Sequence, residues 1–175
     1  MLKSKNIELR ALEPSDVDLL YQWENKEELW HLSNTLTPFS RFVLEQYVMD
    51  SHQDIYTTKQ LRLMIDKKTD GKNVTIGSID LFDFDPVNKR AGIGIMIVEQ
   101  EQKKGYASEA LELMVKYCFK TLHLHQVYCN IAEDNKASFN LFKKYGFEEV
   151  GIKKEWLLTG EAWMDEYLLQ IINPF

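Results

Sequence analysis

The chain has 175 residues, of which 45% are hydrophobic and 27% charged, the balance of a soluble globular protein with one core. Its formal net charge of −6 disfavours nucleic acid and acidic membrane surfaces as main partners. No apolar run approaches the ~20 residues that a membrane span needs, and residues 1–14 lack a signal-peptide core. We therefore expect one domain, residues 1–175, in the cytoplasm, without nucleic-acid or membrane partners.

The first half of the chain predicts a strand, two helices and three strands. Residues 6–12 alternate between apolar and polar as a strand does, and residues 13–25 and 37–52 favour helices. The second helix is expected to pack through Phe42, Val43, Tyr47 and Val48. Three strands are predicted to follow, separated by turn-forming residues at 69–73 and 86–88; they cover residues 57–68, 74–85 and 90–98.

The second half predicts a helix, a strand, a helix and two closing strands. Apolar residues recur at three- and four-residue spacing from Ala107 to Leu122, which indicates a long amphipathic helix. A buried strand at 125–132 and a short helix ending at Gly146 come next. Strands around 148–157 and 162–172 complete an α/β chain.

The cysteines predict neither a metal site nor a covalent catalyst. Cys118 and Cys129 fall in a predicted helix and a predicted strand, with no CxxC or Cys/His metal spacing in the chain. Packed, reduced thiols are the expectation at both positions.

Residues 102–107, between the third middle strand and the long helix, have the features of an anion site. The first turn of a helix has unpaired N–H groups and a partial positive charge. Gly105 permits close approach of the backbone to a ligand, and Ala107 is small enough to preserve it. Lys103 and Lys104 add attraction. The segment matches neither the Walker loop nor GxGxxG, but it predicts a phosphate or pyrophosphate site.

Two segments carry a family resemblance. The sequence QKKGYA at 102–107 resembles the Q/R-x-x-G-x-G/A signature of the GNAT superfamily of acyl-CoA-dependent N-acetyltransferases, and DNKASFNLFKKYGF at 134–147 resembles its N-x-x-A/S…G-F segment. The likeness covers nearly the whole chain, most strongly 90–151, and points to the branch of ribosomal-protein and polyamine acetyltransferases. It implies a mixed, mostly antiparallel sheet with splayed middle strands, flanked by helices.

The resemblance also implies how acetyl-CoA would bind. The pantetheine arm would enter between the splayed strands and pair with main-chain groups around 96–98, while the pyrophosphate would lie on the amides of 103–108. The implied cofactor-binding residues are Met96, Ile97, Val98, Gln102, Lys103, Lys104, Gly105, Tyr106, Ala107, Ser108, Asn135, Lys136 and Phe142.

The catalytic groups are less clearly marked. Direct attack of an amine on the thioester needs an oxyanion donor, most simply a backbone N–H near Val98. Many relatives carry a tyrosine acid where this chain has Phe142, so Ser138, one helical turn earlier, is the candidate acid, with an ordinary helix serine as the alternative. Asp80 is the preferred base, acting through water, or else a salt-bridged strand carboxylate. Histidines without a motif are further candidates: His31, His52, His123 and His125.

The acceptor would be recognised by the N-terminal helices and the last strands. Acidic residues could attract an ammonium group and tryptophans could cover it, although solvated faces and core packing are the ordinary roles of such residues. The candidates are Glu24, Glu27, Glu28, Trp23, Trp30 and Trp163. Leu36 and Thr37 replace the paired acidic residues that polyamine acetyltransferases carry at this point, which disfavours a polyamine.

The sequence thus predicts transfer of an acetyl group from acetyl-CoA to a primary amine by direct attack in a ternary complex, without a metal. The acceptor is a protein N-terminus, an amino acid or another small amine. Alternatives are an acyl-CoA-binding sensor with little transferase activity and a phosphate-ligand domain unrelated to CoA. Monomer and homodimer both remain open.

Overall fold

A computed structural model describes residues 2–27, 30 and 35–174. Within these residues, seven strands form one sheet in the order β1-β2-β3-β4-β5-β7-β6. Neighbouring strands are antiparallel except β4 and β5, which are parallel. This arrangement confirms the predicted mixed, mostly antiparallel sheet. The strands are β1 (Ile7–Arg10), β2 (Leu61–Lys67), β3 (Val74–Asp85), β4 (Arg90–Ile97), β5 (Gln126–Ala132), β6 (Glu148–Thr159) and β7 (Ala162–Ile172).

In the part of the chain that the structure describes, the helices below follow the predicted order, and α3 is a short addition. They are α1 (Val17–Glu24), α2 (Arg41–Asp50), α3 (Ile55–Thr58), α4 (Tyr106–Lys120) and α5 (Lys136–Tyr145). Helix α3 replaces the predicted start of a strand because Asp54 accepts hydrogen bonds from the N–H groups of Tyr56 and Thr57. Among the helices in the described ranges, none has the length and apolar character of a membrane span.

The helices cover both faces of the sheet. Helices α4 and α5 pack on the face that carries Ile79 and Ile93, and α1 and α2 pack on the face that carries Met64. Half of the predicted apolar face of α2 is confirmed: Val48 is buried and Tyr47 packs against the same cluster. The other half is wrong, because Phe42 is 67% exposed and Val43 is also exposed. The buried pair is Leu44 and Val48, four residues apart on one helical stripe.

A buried ion-pair network fixes the start of α1 on the sheet. Arg10 donates from Nη1 and Nη2 to the Asp16 carboxylate, at 2.7 and 2.9 Å, and from Nε to Asp66 at 2.8 Å. Burial acts to raise the pKa of Asp16, but the Arg10 hydrogen bonds and the Glu13 N–H hold that pKa below its ordinary value. This anchor sets the position of α1, which contributes to the cavity described next.

Candidate cofactor and acceptor site

The middle strands of the sheet separate, as predicted. Strands β4 and β5 pair only from Arg90–Gln126 to Gly92–Tyr128. Beyond that point β4 continues along β3 as far as Ile97, and β5 continues along β7 as far as Ala132. The two strands therefore leave a wedge-shaped gap lined by unpaired main-chain edges.

The direction of the β4 main chain decides which groups face this gap. The Val98 N–H donates to the Ile76 carbonyl at 2.9 Å, so it points towards β3. Main-chain N–H and C=O groups alternate in direction along a strand. Those of Met96 therefore also face β3, whereas those of Ile95 and Ile97 face the gap. The oxyanion donor predicted near Val98 is therefore not the Val98 N–H, which already has an acceptor. The gap-facing amides lie at the odd-numbered positions, of which Ile97 is adjacent to Val98.

Gln102 ties the end of β4 to the loop before α4. Its side-chain Nε2 donates to the Ile97 carbonyl at 2.9 Å, which satisfies one gap-facing group and fixes where the loop begins. The signature residue Gln102 thus has a structural role of its own beside the cavity.

A cavity of about 690 Å³ opens between the end of β4, the loop before α4, and the first turns of α4 and α5. Its volume is within the range of cofactor and ligand pockets. Trp23 and Lys26 close one wall from the α1 side. Of the predicted cofactor residues, the cavity wall includes Met96, Ile97, Val98, Gln102, Lys103, Gly105, Tyr106, Ala107, Ser108 and Asn135.

The loop before α4 presents backbone N–H groups to this cavity. Lys103 and Gly105 both have positive φ, at 60° and 90°, and α4 begins directly afterwards. Within the described residues, the amides of 103–108 donate to no carbonyl or side chain. Consecutive free amides at a helix start form an anion-binding concavity. A Cβ at Gly105 would meet no atom within 4 Å, so this backbone faces open space.

Lys104 and Lys136 do not lie on the cavity wall, contrary to expectation. The Lys104 ammonium bonds to Glu101 at 3.0 Å, and Lys67 bonds to the same carboxylate at 2.5 Å. These two ammonium groups lower the pKa of Glu101. Lys136 instead lies over the Tyr167 ring, 5.6 Å from its centroid. Their charges are engaged elsewhere on the surface.

A smaller cavity of about 160 Å³ lies in the gap itself and shares Ile95, Asn135 and Ser138 with the larger one. Ser138 is therefore at the junction, held there because its N–H donates to the Asn135 Oδ1 that caps α5, at 3.1 Å. Phe142 borders the smaller cavity, is 1% exposed and packs edge-on against Phe147. Phe142 therefore gives this cavity an apolar wall without a hydroxyl.

Cys129 also borders the smaller cavity, on β5. The residue is buried, and burial raises the pKa of its thiol far above the ordinary value. A thiol held in the neutral form is a poor nucleophile, which agrees with a packed role.

Asp80 lies outside the walls of both cavities and is not free. The Arg62 guanidinium donates to Asp80 at 2.6 Å and to Glu24 at 2.5 Å, and it stacks on the Tyr47 ring at 5.6 Å. Burial raises the pKa of Asp80 against the opposing effect of Arg62. The structure therefore favours the salt-bridged alternative over the predicted base, because a base needs a carboxylate that reaches the acceptor.

The remaining candidates are the tryptophans, histidines and glutamates named from the sequence. They lie on the wall of the larger cavity, elsewhere in the protein, or outside the described ranges. Trp23 is on the larger cavity wall; Trp163 is exposed, and the Trp30 Nε1 donates to the Glu24 carbonyl. Of the histidines in the described ranges, none lies on either wall; these are His52, His123 and His125. Glu27 is exposed, and His31 and Glu28 lie outside the described residues.

One polar group beside the gap was not predicted. Glu166 on β7 and Asn130 on β5 border the smaller cavity, and the Lys153 ammonium bonds to both. The acidic pair Asp165 and Glu166 within β7 was the signal in the sequence, but the partners of Glu166 and Asn130 come from other strands.

Known proteins are similar to this chain in sequence and in fold. A sequence model of the acetyltransferase (GNAT) domain matches residues 6–148. The probable N-acetyltransferase YjcK of Bacillus subtilis (strain 168) is 28% identical over 183 residues, covering 99% of this chain and 98% of that protein. The spermidine N(1)-acetyltransferase of Escherichia coli (strain K12) is 26% identical, covering 92% of this chain and 83% of its own.

A solved structure agrees with the fold. The crystal structure of spermidine N-acetyltransferase from Vibrio cholerae in complex with CoA and spermine superimposes with a TM-score of 0.85 at 22% identity, covering 97% of this chain and 96% of that one. The predicted family, fold and reaction class are confirmed. Since the domain match covers well over half of the residues, the chain belongs to the acetyltransferase (GNAT) domain family and is an acetyl-CoA-dependent N-acetyltransferase.

Proposed function

We propose that acetyl-CoA binds with its pyrophosphate on the amides of 103–108 and its pantetheine arm in the gap between β4 and β5. The observation that carries this proposal is the continuity of the gap with the loop of free amides through one cavity. The gap-facing edge of β4, at Ile95 and Ile97, supplies main-chain partners for the amides of the arm. The acetyl group then lies near Ser138, where the two cavities meet.

The acceptor attacks the thioester directly. A neutral primary amine forms a C–N bond to the carbonyl carbon, and a gap-facing β4 amide stabilises the oxyanion. As the intermediate collapses, the C–S bond breaks and the amine nitrogen loses a proton to water. Ser138 donates a proton to the departing sulfur, directly or through water, and is reprotonated from solvent. No covalent enzyme intermediate forms.

The proposed acceptor is a primary amine of a small molecule or a protein N-terminus. The half-buried Arg62 bound to both Glu24 and Asp80 leaves one net negative charge on the α1 side of the sheet, which favours a cationic acceptor over an anionic one. We treat residues 1–175 as one catalytic domain. Its buried free cysteines, Cys118 and Cys129, fit the reducing cytoplasm.

Thiol release from acetyl-CoA tests this function. Purified protein would be assayed with butylamine, 1,4-diaminobutane, spermidine, amino acids and a peptide with a free N-terminus, with the same peptide acetylated as the blank. We expect amine-dependent release of CoA thiol and the matching acetylated product by mass spectrometry. Binding of acetyl-CoA without release for any amine would contradict the proposed acceptor class.

A further inference from the structure

The ammonium group of Lys153 occupies a site built from groups that recognise alkylammonium ions. Its Nζ donates to the Glu166 carboxylate and to the Asn130 side-chain carbonyl, each at 2.8 Å. The same Nζ lies 5.1 Å from the centre of the Trp156 ring. A carboxylate, a carbonyl oxygen and an aromatic face are also the partners that the ammonium group of a bound small molecule would need.

This site borders the place where the reaction would occur. Glu166 and Asn130 line the smaller cavity in the gap, together with Gly94 of β4. The smaller cavity meets the larger one at Ile95 and Ser138. An ammonium held here is therefore next to the proposed position of the acetyl group.

The backbone of β6 is shaped to bring the aromatic ring over this ammonium. Lys153 pairs with Glu166, but the next pair is Leu157 with Met164, so β6 contains two extra residues at this point. Within this bulge Glu155 has a φ of 48°. The Asp165 carboxylate fixes the bulge by accepting the Glu155 N–H at 2.9 Å.

Charge explains why the protein's own lysine fills the site. Glu166 is only 9% exposed, and a buried carboxylate needs a cation close to it. The Lys153 ammonium, tethered to the neighbouring strand, supplies that cation. An external ammonium would have to displace it.

We propose that Glu166, Asn130 and Trp156 form an ammonium subsite of the acceptor cleft, and that Lys153 keeps this subsite filled. The enzyme therefore favours acceptors with a single amine and discriminates against diamines and polyamines whose second ammonium would need the subsite. This inference rests on the proposed function and specifies which amines it uses.

Competition between matched amines tests the inference on the wild-type protein. We expect kcat/KM for butylamine to exceed that for 1,4-diaminobutane by about tenfold or more, since the two differ only in the second ammonium. Equal values, or a preference for the diamine, would overturn the inference even though the enzyme was active. Absence of thiol release with every amine would instead contradict the proposed function.

Removal of the tethered ammonium gives a readout that does not depend on acetyl transfer. In Lys153→Ala, propylammonium chloride is expected to raise the melting temperature by several degrees above matched sodium chloride, because it refills the subsite. Propylammonium chloride should not raise the melting temperature above that in sodium chloride for the controls, which are wild type, Lys154→Ala and the double variant Lys153→Ala/Glu166→Gln. Lys154→Ala is the matched control because it removes a neighbouring ammonium whose side chain is 73% exposed and which bonds to Asp165, not to Glu166 or Asn130.

The same variant should change the amine preference. Lys153→Ala is expected to raise the ratio of kcat/KM for 1,4-diaminobutane to that for butylamine about tenfold over wild type. A folded Lys153→Ala that shows neither the ammonium-specific stabilisation nor the altered ratio would overturn the inference. Should this variant fail to fold, the wild-type comparison above decides the question alone.

Discussion

The proposed cofactor side of the cleft presents mainly backbone groups, whereas the proposed acceptor side presents side chains. On the cofactor side, the groups that we propose to bind acetyl-CoA are the free amides of one short segment, 103–108, and the unpaired edge of β4. On the proposed acceptor side, the polar groups are side chains from separate strands, such as Lys153, Glu166 and Asn130, held in mutual ion pairs and hydrogen bonds.

This difference leads us to propose that acceptor specificity depends on the side-chain site. A backbone site depends on conformation and tolerates many side chains, so it suits a cofactor that never changes. A side-chain site changes with each substitution, so it suits an acceptor that differs between relatives. Substitutions on the two sides should therefore have separable effects, and the following predictions test that separation.

Gly105→Val should have the largest effect. A side chain at φ of 90° would be strained and would stand between the free amides and the pyrophosphate, so we expect acetyl-CoA affinity to fall about 100-fold, or about 2.7 kcal/mol. Gly160→Val, at φ of 63° in the turn between β6 and β7, is the matched control. Both variants should lose about 1–2 kcal/mol of stability. Calorimetry should nevertheless show normal acetyl-CoA binding by Gly160→Val. Equal affinity of the two variants for acetyl-CoA would contradict the placement of the pyrophosphate at residues 103–108.

Asp16→Asn should lower the free energy of unfolding by about 2 kcal/mol at pH 7, because it removes the charge that holds Arg10 and the start of α1. The pKa of Asp16 is lowered in the folded protein from its ordinary 3.8, so its stabilisation is present above that value and is lost as the pH falls. The difference in stability between wild type and variant should shrink below about pH 4 in denaturant titrations. If the difference in free energy of unfolding stayed constant with pH, the Asp16–Arg10 ion pair would not be the source of the stabilisation. Asp70→Asn, in an exposed turn, is the control.

Ser138→Ala should lower kcat about tenfold while the KM for acetyl-CoA stays within about twofold, since only the departing thiolate loses its proton donor. Adding Phe142→Tyr to this variant should recover part of the rate, because the Phe142 ring borders the same small cavity. Steady-state kinetics would measure both. An unchanged kcat in Ser138→Ala would show that the thiolate leaves without this acid.

Lys103→Ala should have the smallest effect, about a threefold loss in acetyl-CoA affinity at ~0.1 M salt, because an exposed charge contributes little beside the backbone amides. Lys104→Ala should lose less than twofold, since its ammonium is held by Glu101. Calorimetry at two salt concentrations would compare them. A larger loss for Lys104→Ala would mean that its ion pair opens to reach the cofactor.

The sequence predicted local features well because local spacing determines them. The helix start at Gly105 and the end of α5 at Gly146 both depend on residues a few positions apart. The separation of β4 and β5 was implied by resemblance, and the register of the sheet then determined that Ile95 and Ile97, instead of Val98, face the gap.

Side-chain contacts across paired strands could not be predicted in this way. The pairing of Asp80 with Arg62 depends on the β2–β3 register, and the Lys153–Glu166 pair depends on a bulge in β6. A one-residue shift in either register would send these side chains to the other face. The sequence singled out Asp80 but not its partner Arg62, and it singled out neither Lys153 nor Glu166.

A crystal structure with bound CoA tests the central claim most directly. We predict pyrophosphate oxygens at hydrogen-bond distance, about 2.7–3.2 Å, from amide nitrogens of 103–108, with the pantetheine arm running between β4 and β5 along Ile95 and Ile97. A pyrophosphate bound elsewhere, or an arm lying outside the gap, would contradict the account.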